Sequence, residues 1–285
     1  MSEVMQDDPN SAMKTHGLSE APMANSPESD GVVRPEPCVI GHLSVDRLTF
    51  AQAIAWLSAA ILNHHSGLPL FIAGTNAFIS VLTEQNPRFR EAMSAVTLIF
   101  ADGQSIVLAS RLLNKPVPER IPGGELMTAL CAFAAEHHLR IYLLGGLPGA
   151  AKRAADKLKT LYPNLEVAGT NCPSVGFELD QTESAEVREK ILAAKPDLIF
   201  VALGCPKQEI WVHENSSLFP VRAIMPVGAA FDTLSGLRLR APKIAQQTGT
   251  EWLFRLMMEP RRLWKRYLIG NFQFAGLVLR QMKSR

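Results

Sequence analysis

Short apolar runs alternate with amphipathic segments along most of this 285-residue chain, and this alternation restricts the fold more than any other feature. The apolar runs end in Gly or Asp, as strands buried on both faces of a sheet often do. They cover residues 69–74, 96–102, 140–146, 165–169, 197–204 and 222–228. Segments with helical spacing lie between them, at 50–64, 104–113, 124–137, 150–161 and 184–194. The order predicts an α/β fold, a Rossmann-like parallel sheet with helices on both faces.

In a sheet of this class, ligands bind beyond the carboxyl ends of the strands. We therefore expect the functional residues in the loops that follow the predicted strands. These loops are 74–76, 102–104, 145–149, 204–209 and 228–232.

The two ends of the chain carry opposite charge, although the net charge of the whole is only +2. Residues 1–30 contain six acids and one base, whereas residues 249–285 contain eight bases and two acids. We interpret residues 1–36 as a disordered acidic tail and residues 37–248 as an α/β catalytic domain. Residues 249–285 are predicted to form a basic amphipathic C-terminal helical appendage, with helices over 251–258 and 261–283. Such a basic end favours an anionic partner, such as phosphate or anionic lipid, while the small net charge argues against a general nucleic-acid binder.

No apolar run approaches the ~20 residues that span a bilayer. The nearest, Leu268–Leu279, is interrupted by Asn271 and Gln273. We expect a cytoplasmic protein that lies on the inner face of the membrane without crossing it. The four cysteines form no CxxC pair and the histidines show no metal spacing, so neither a metal nor another cofactor is predicted.

Asp102 stands where a predicted strand ends and a predicted helix begins. Its carboxylate suits a helix N-cap, which accepts backbone N–H groups. It also suits a general base, with Gly103 allowing a substrate to approach closely. The residues alone leave both roles open.

Three further loops carry candidate binding groups. The glycines around Gly146 would expose backbone N–H groups at a helix N-terminus, which suits a phosphate. The acid expected after a dinucleotide-binding loop could only be Glu166, at the start of its strand, and this argues against an NAD site. Gln208 is a candidate for binding sugar hydroxyls, Lys207 would meet phosphate or pair with an acid, and Asp232 would bind ribose or base hydroxyls or cap a turn.

The chain has no Asp-x-Asp pair, which many sugar-nucleotide transferases use to hold a divalent metal on the diphosphate. Leaving-group charge would then need another counterion. The arginine-rich C-terminus is one candidate, because a guanidinium donates two hydrogen bonds to phosphate at once. A solvated basic helix is the alternative.

Taken together, these segments resemble the WecG/TagA/CpsF family of glycosyltransferases over roughly residues 40–267. The matching stretches are Thr75-Asn76-Ala77, Ala101-Asp102-Gly103, Glu119–Gly123, Leu143–Gly149, Val201–Trp211, Val227–Gly236, Arg240-Ala241-Pro242 and Glu251–Arg262. Three motifs together make this resemblance specific to the family: ALGxPKQExW, FDxLSGxxxRAP and EWLFRLxxEPRR. The family often has threonine two residues before the asparagine, where this chain has Gly74.

The resemblance implies an inverting, metal-independent transfer from a UDP-sugar to a polyprenyl-diphosphate-linked sugar in cell-surface polysaccharide or exopolysaccharide synthesis. The sugar would be a hexose or N-acetylhexosamine, of mannosamine type or glucose. Asp102 would be the base. The substrate-binding residues would be Asn76 with its neighbour Thr75, Gly103, Gly146, Gln208, Asp232, Arg255, Arg262 and Arg266, with Lys265 as the alternative to the last.

Two other functions remain open from the sequence. One is another nucleotide-binding enzyme of the doubly wound class, such as a dehydrogenase. The other is a non-catalytic, membrane-associated protein that only binds UDP-sugar. The donor sugar, the acceptor and a homo-oligomeric state are likewise left open.

Overall fold

A computed structural model describes residues 33–239, 241–242, 245, 251–264 and 268–284, without the side chains of Arg255 and Arg262. The strands are β1 (Cys38–Ile40), β2 (Leu43–Val45), β3 (Leu70–Thr75), β4 (Leu98–Ala101), β5 (Arg140–Gly145), β6 (Glu166–Asn171), β7 (Leu198–Ala202) and β8 (Ala223–Pro226). The first helices are α1 (Phe50–Leu62), α2 (Ala77–Gln85), α3 (Pro87–Ser94), α4 (Gln104–Leu112), α5 (Gly123–Glu136) and α6 (Ala150–Leu161). They are followed by α7 (Gln181–Ala194), α8 (Lys207–Asn215), α9 (Ala230–Leu234), α10 (Glu251–Met258), α11 (Pro260–Trp264) and α12 (Gly270–Lys283).

Six strands form one parallel sheet in the order β4-β3-β8-β7-β5-β6, and β1 and β2 form a small antiparallel hairpin. Successive residues of a strand point to opposite faces. Phe71 and Ile199 therefore join a core with α2, α8 and α12, whereas Ile72 and Phe200 join a second core with α1, α5 and α6. The predicted α/β sheet with helices on both faces is confirmed.

The chain leaves β3 and β8 in opposite directions along the sheet. From β3 it runs through α2 and α3 to the edge strand β4, whereas from β8 it enters α9, which packs against α6. Neighbouring strands with diverging connections form a crevice at their carboxyl ends, where doubly wound proteins bind ligands. The candidate site is therefore expected at the carboxyl ends of these strands.

Two helices that the sequence did not predict, α2 and α3, connect β3 to β4. They have only 9 and 8 residues, fewer than the roughly 11–18 over which helical periodicity is recognised. Each begins at an asparagine: Asn76 Oδ1 accepts from Ile79 N at 3.2 Å, and Asn86 Oδ1 accepts from Phe89 N at 3.1 Å. These N-caps satisfy backbone donors at both helix starts.

One face of helix α12 belongs to the core of the domain. Phe274, Leu277 and Val278 are buried, and the helix packs along α2. Gln281 also donates to Val39 O at 2.8 Å and accepts from Gly41 N at 3.1 Å. The buried positions recur on one side of the helix, and this stripe matches the apolar face of α2.

Contacts with the domain begin before the predicted boundary at residue 36. Arg34 Nη1 donates to Thr97 O at 2.8 Å, and its guanidinium lies 4.6 Å from the ring centroid of Trp56. Residues 1–32 of the predicted tail lie outside the described residues.

Candidate active site

Asp102 lies just beyond β4, with its carboxylate at the start of α5. Its Oδ1 accepts a hydrogen bond from Gly123 N at 3.1 Å, and the side chain is half-buried. The N-cap of α4 is Gly103, which has no side-chain capping bond. Asp102 therefore does not cap the helix that follows it. It meets instead the N-terminus of a 14-residue helix, whose partial positive charge stabilises a carboxylate.

The loops after β3 and β4 touch at Gly103. The backbone N–H groups of Asp102 and Gly103 both donate to Thr75 O, at 2.9 and 3.1 Å. A Cβ at Gly103 would lie 2.8 Å from Asn76 Cβ, closer than real Cβ atoms approach. The absence of a side chain at this position thus lets Asn76 and Asp102 sit side by side.

Thr75 does not present its hydroxyl to this edge. The side chain is fully buried, with Oγ1 at 3.5 Å from Ser80 Oγ. Alternation along β3 turns it toward α2, away from the face where Gly74 and Asp102 lie. The carbonyl of Thr75 contacts the loop that carries Asp102, while its side chain points elsewhere; a substrate contact by Thr75 stays a prediction.

Gln208 joins the loops after β7 and β8. Its Oε1 accepts from Gly204 N at 3.2 Å and from Gly228 N at 3.1 Å, and its Nε2 donates to Glu209 Oε1 at 2.8 Å. The side chain is only 5% exposed. The amide predicted to bind sugar hydroxyls is thus engaged within the protein, where it fixes the separation of two strand ends.

The glycine loop after β5 binds the carboxylate of Asp232 through a backbone N–H. Asp232 Oδ1 accepts from Leu147 N at 2.9 Å, and Asp232 is buried. Gly146 N donates to Ala202 O at 2.8 Å, and Gly146 O accepts from the thiol of Cys172. Both backbone groups of Gly146 are engaged, and a phosphate at Leu147 N would face a negative charge. This loop therefore anchors Asp232, and the phosphate contact predicted at Gly146 stays a prediction.

The carboxylate of Asp232 affects the pKa of the Cys172 thiol. Partial burial, and then the negative charge of Asp232, raise the pKa of Cys172. We expect Asp232→Asn to lower that pKa, because asparagine keeps an acceptor for Leu147 N and removes the charge. Alkylation of Cys172 at neutral pH, followed by peptide mass spectrometry, should then become faster, because the thiolate is the reactive form. The half-buried Cys205 should react at an unchanged rate; slower or equal alkylation of Cys172 would contradict the prediction.

Lys207 pairs with an acid, the second of the two roles predicted for it. Its Nζ lies 2.6 Å from Glu178 Oε1. Burial alone would raise the pKa of Glu178, but the hydrogen bond from Lys207, a backbone hydrogen bond and the charge of Lys207 together outweigh it and lower that pKa.

Two ion pairs join the C-terminal segment to loops of the domain. Arg120 Nη1 lies 3.2 Å from Glu251 Oε2, at the start of α10, and Arg238 Nη2 lies 3.4 Å from Glu259 Oε1, just before α11. Arg120 belongs to the loop that precedes Gly123, whose N–H binds Asp102. The start of α10 is therefore tied to the same loop as the carboxylate.

The loops that carry Asp102 and Asp232 are neighbours at the carboxyl ends of the strands. A Cβ at Gly124, in the first turn of α5, would lie 3.9 Å from Ala230 Cβ in the first turn of α9. The start of α5, which binds Asp102, is thus next to α9, the helix that carries Asp232. This edge has the position expected for the ligand site of a doubly wound sheet.

Comparison with known proteins identifies the family of this chain. A model described as the glycosyl transferase WecG/TagA/CpsF family matches residues 38–285. The chain belongs to this family. It is also 34% identical over 215 residues to an N-acetylglucosaminyldiphosphoundecaprenol N-acetyl-beta-D-mannosaminyltransferase of Bacillus spizizenii, covering 75% of this chain and 80% of that protein. A protein of the same name from Staphylococcus aureus is 31% identical over 229 residues, covering 80% of this chain and 87% of that protein.

Membership in the WecG/TagA/CpsF family makes this chain a glycosyltransferase. The arginines predicted to meet the donor are outside the present description: Arg266 lies beyond the described residues, and only the backbone of Arg255 and Arg262 is described, in α10 and α11. Within the described residues, no three His, Cys, Asp or Glu side chains cluster as metal ligands. Of the described helices, none has both the length and the hydropathy to cross a membrane.

Sequence reasoning missed Gly123, which supplies the N–H that binds Asp102. Its signal was the Pro-Gly-Gly run in 122–124, at the start of a predicted helix. Proline just before an amphipathic segment commonly marks a helix N-terminus.

Proposed function

We propose that this chain catalyses inverting transfer of a sugar from a UDP-sugar to a polyprenyl-diphosphate-linked sugar, with Asp102 as the general base. The observation that carries the proposal is the Asp102 carboxylate, held at the open end of the sheet by Gly123 N. A carboxylate fixed in direction, beside a crevice between strand ends, can remove a proton from a bound hydroxyl.

In the proposed reaction, an acceptor hydroxyl gives its proton to Asp102 as its oxygen attacks the anomeric carbon. The bond from that carbon to the diphosphate oxygen breaks, and UDP leaves from the opposite face. The new glycosidic bond therefore has the inverted configuration. A positioned base contributes roughly 10²–10⁴ in rate.

The departing diphosphate needs positive charge, which we assign to Arg255 and Arg262, with Arg266 or Lys265 beside them. The sequence has no Asp-x-Asp pair to hold a metal on the diphosphate. The ion pair of Arg120 with Glu251 supports this assignment, because it ties the start of α10 to the loop that precedes Gly123. Stabilising charge that develops on a leaving group is a major contribution to transfer catalysis.

The names of the relatives favour a particular donor and acceptor. Those proteins are named for transfer of N-acetyl-beta-D-mannosamine to N-acetylglucosaminyldiphosphoundecaprenol. We propose a mannosamine-type N-acetylhexosamine donor ahead of glucose, and an acceptor sugar linked through diphosphate to a polyprenyl chain. Asn76 is the polar side chain beside Asp102 that would orient the sugars: its Oδ1 caps α2, and among the described residues its Nδ2 finds no acceptor.

The test is a transfer assay with purified protein, a short-chain polyprenyl-diphosphate-sugar, a panel of UDP-sugars and EDTA. UDP release and the lipid product are followed together, and the anomeric configuration is read by NMR. Transfer in EDTA with inversion is the expected result. UDP-sugar binding without transfer from any donor would favour the non-catalytic binding protein, and tight NADH binding would favour a dehydrogenase.

We infer that the protein works at the inner face of the cytoplasmic membrane, because the proposed acceptor carries a polyprenyl chain. Large apolar side chains are exposed along the C-terminal segment, residues 249–285, which also carries eight basic and two acidic residues. They are Trp252, Leu253, Met257, Met258, Trp264, Leu268, Ile269, Phe272, Leu279 and Met282. Aromatic and apolar side chains next to basic residues favour the interface of an anionic membrane.

Phe272→Ser should weaken binding to vesicles of phosphatidylglycerol and phosphatidylcholine by roughly 10-fold, because a 79% exposed aromatic side chain is lost from the interface. Co-sedimentation measures the partition. Val175→Ser is the matched control, since Val175 is fully exposed in a loop after β6. Equal binding by the wild type and both variants would contradict membrane docking through this segment.

A further inference from the structure

Phe100 lies opposite Gly74 where β3 and β4 pair. The two residues are register partners in the parallel ladder, and both face the core that contains α5. Phe100 is 2% exposed, so its ring is enclosed by protein directly beneath the edge where Asp102 sits. Asp102 follows it by two residues on the same face of the strand.

The tip of the Phe100 ring fills the space above Gly74. A Cβ at Gly74 would lie 2.7 Å from Phe100 Cε2, 2.9 Å from Phe100 Cζ and 3.1 Å from Asp102 Cβ. The backbone of Gly74 is not in the left-handed region, so the restriction comes from space and not from conformation. Any side chain at this position would displace the ring or Asp102.

The same ring atoms reach the start of α5. A Cβ at Gly123 would lie 3.5 Å from Phe100 Cζ and 3.7 Å from Phe100 Cε2. Gly123 is the residue whose N–H binds Asp102 Oδ1. The ring tip therefore separates the two backbone segments that locate Asp102: the end of β3, through Thr75 O, and the first residue of α5.

We propose that Phe100 is a positioning residue for Asp102, and that Gly74 lacks a side chain so that the ring can occupy this place. The role rests on the proposed function of Asp102 as the base. The ring acts as a spacer between β3 and α5, and so sets the direction in which the carboxylate points. A displacement of about 1 Å at a reacting group can cost ~10²-fold in rate, so a small shift of this ring is large in its effect.

The test is a size exchange between positions 74 and 100 in the full chain. Gly74→Ala alone should lower kcat at least ~10-fold, with a smaller change in the donor KM, because the new Cβ pushes the ring toward Gly123. Phe100→Leu alone should lower kcat as well, because the ring tip is lost. In the Phe100→Leu background, Gly74→Ala should cost no more than ~3-fold, because the Cβ fits where the ring was.

Phe200→Leu is the matched control, because Phe200 is an equally buried phenylalanine on a central strand of the same core. It should lower the melting temperature as Phe100→Leu does but leave kcat near the wild-type value. The acid limb of the kcat pH profile should move to higher pH in Phe100→Leu alone, because the hydrogen bond from Gly123 N to the ionised carboxylate is weakened.

The outcomes separate the two hypotheses. An equal factor for Gly74→Ala in both backgrounds, or an equal loss of kcat in Phe100→Leu and Phe200→Leu, would overturn the positioning role and leave the proposed function intact. A wild-type protein that transfers no sugar overturns the proposed function itself. If Gly74→Ala does not fold, the comparison of Phe100→Leu with Phe200→Leu decides.

Discussion

Asp102→Asn is expected to lower the rate of sugar transfer at least ~100-fold while UDP-sugar binding stays close to that of the wild type. Asparagine is nearly the same size and can still accept the hydrogen bond from Gly123 N, so the loop after β4 should keep its shape. It cannot take a proton from the acceptor hydroxyl. The loss should therefore appear in kcat, with little change in the melting temperature.

Asp180→Asn is the control for this substitution. Asp180 is exposed and caps α7, with Oδ1 accepting from Thr182 N at 2.8 Å and from Glu183 N at 3.1 Å. Asparagine is as good an N-cap as aspartate, so stability and transfer should both be retained. Transfer by Asp102→Asn within a few-fold of the wild type would show that another group removes the proton.

Gln208→Met should destabilise the protein and slow transfer together. Methionine has a similar length but offers no acceptor to Gly204 N and Gly228 N, and no donor to the buried Glu209. A buried group left without its partner costs about 1–3 kcal/mol, so the free energy of unfolding in urea should fall by at least that amount. Because the loops after β7 and β8 lose their common anchor, kcat should fall roughly 10–100-fold.

Gln281→Met is the control for Gln208→Met, because it separates an effect on the site from a general loss of stability. Gln281 also holds two backbone groups, Val39 O and Gly41 N, but it is more exposed and lies on α12. Water can replace its bonds, so the loss of stability should be smaller and transfer should be unchanged. Loss of transfer in both variants in proportion to stability would mean that Gln208 has no special relation to the strand ends.

The sheet was accessible from the sequence because its strands are buried on both faces. The runs at 140–146 and 197–204 each start with one charged residue, continue with apolar ones and end in glycine, which identifies both the strand and its open end. The helices α2 and α3 were not accessible, because Asn76 and Asn86 specify them through caps that a periodicity search does not weigh.

The candidate site was predicted at the level of loops but not of side-chain roles. Asp102, Asn76 and Gly103 were placed together because parallel strand ends share one edge. The direction of Thr75 follows from strict alternation, once the end of β3 is known. The partners of Gln208 and Asp232 are backbone N–H groups far away in sequence, and no residue pattern signals which distant N–H a polar side chain will meet.

The packing of α12 along α2 has a consequence for experiments on the C-terminal segment. A chain shortened at residue 248 would lose Phe274, Leu277 and Val278, and would open the apolar side of α2 to water. Asn76, which begins α2, stands beside Asp102, so such a deletion would disturb the site from behind even if no lipid were present. Loss of activity in a shortened chain would therefore report unfolding as readily as detachment from a bilayer, and only substitutions on the outer surface of the segment can tell the two apart.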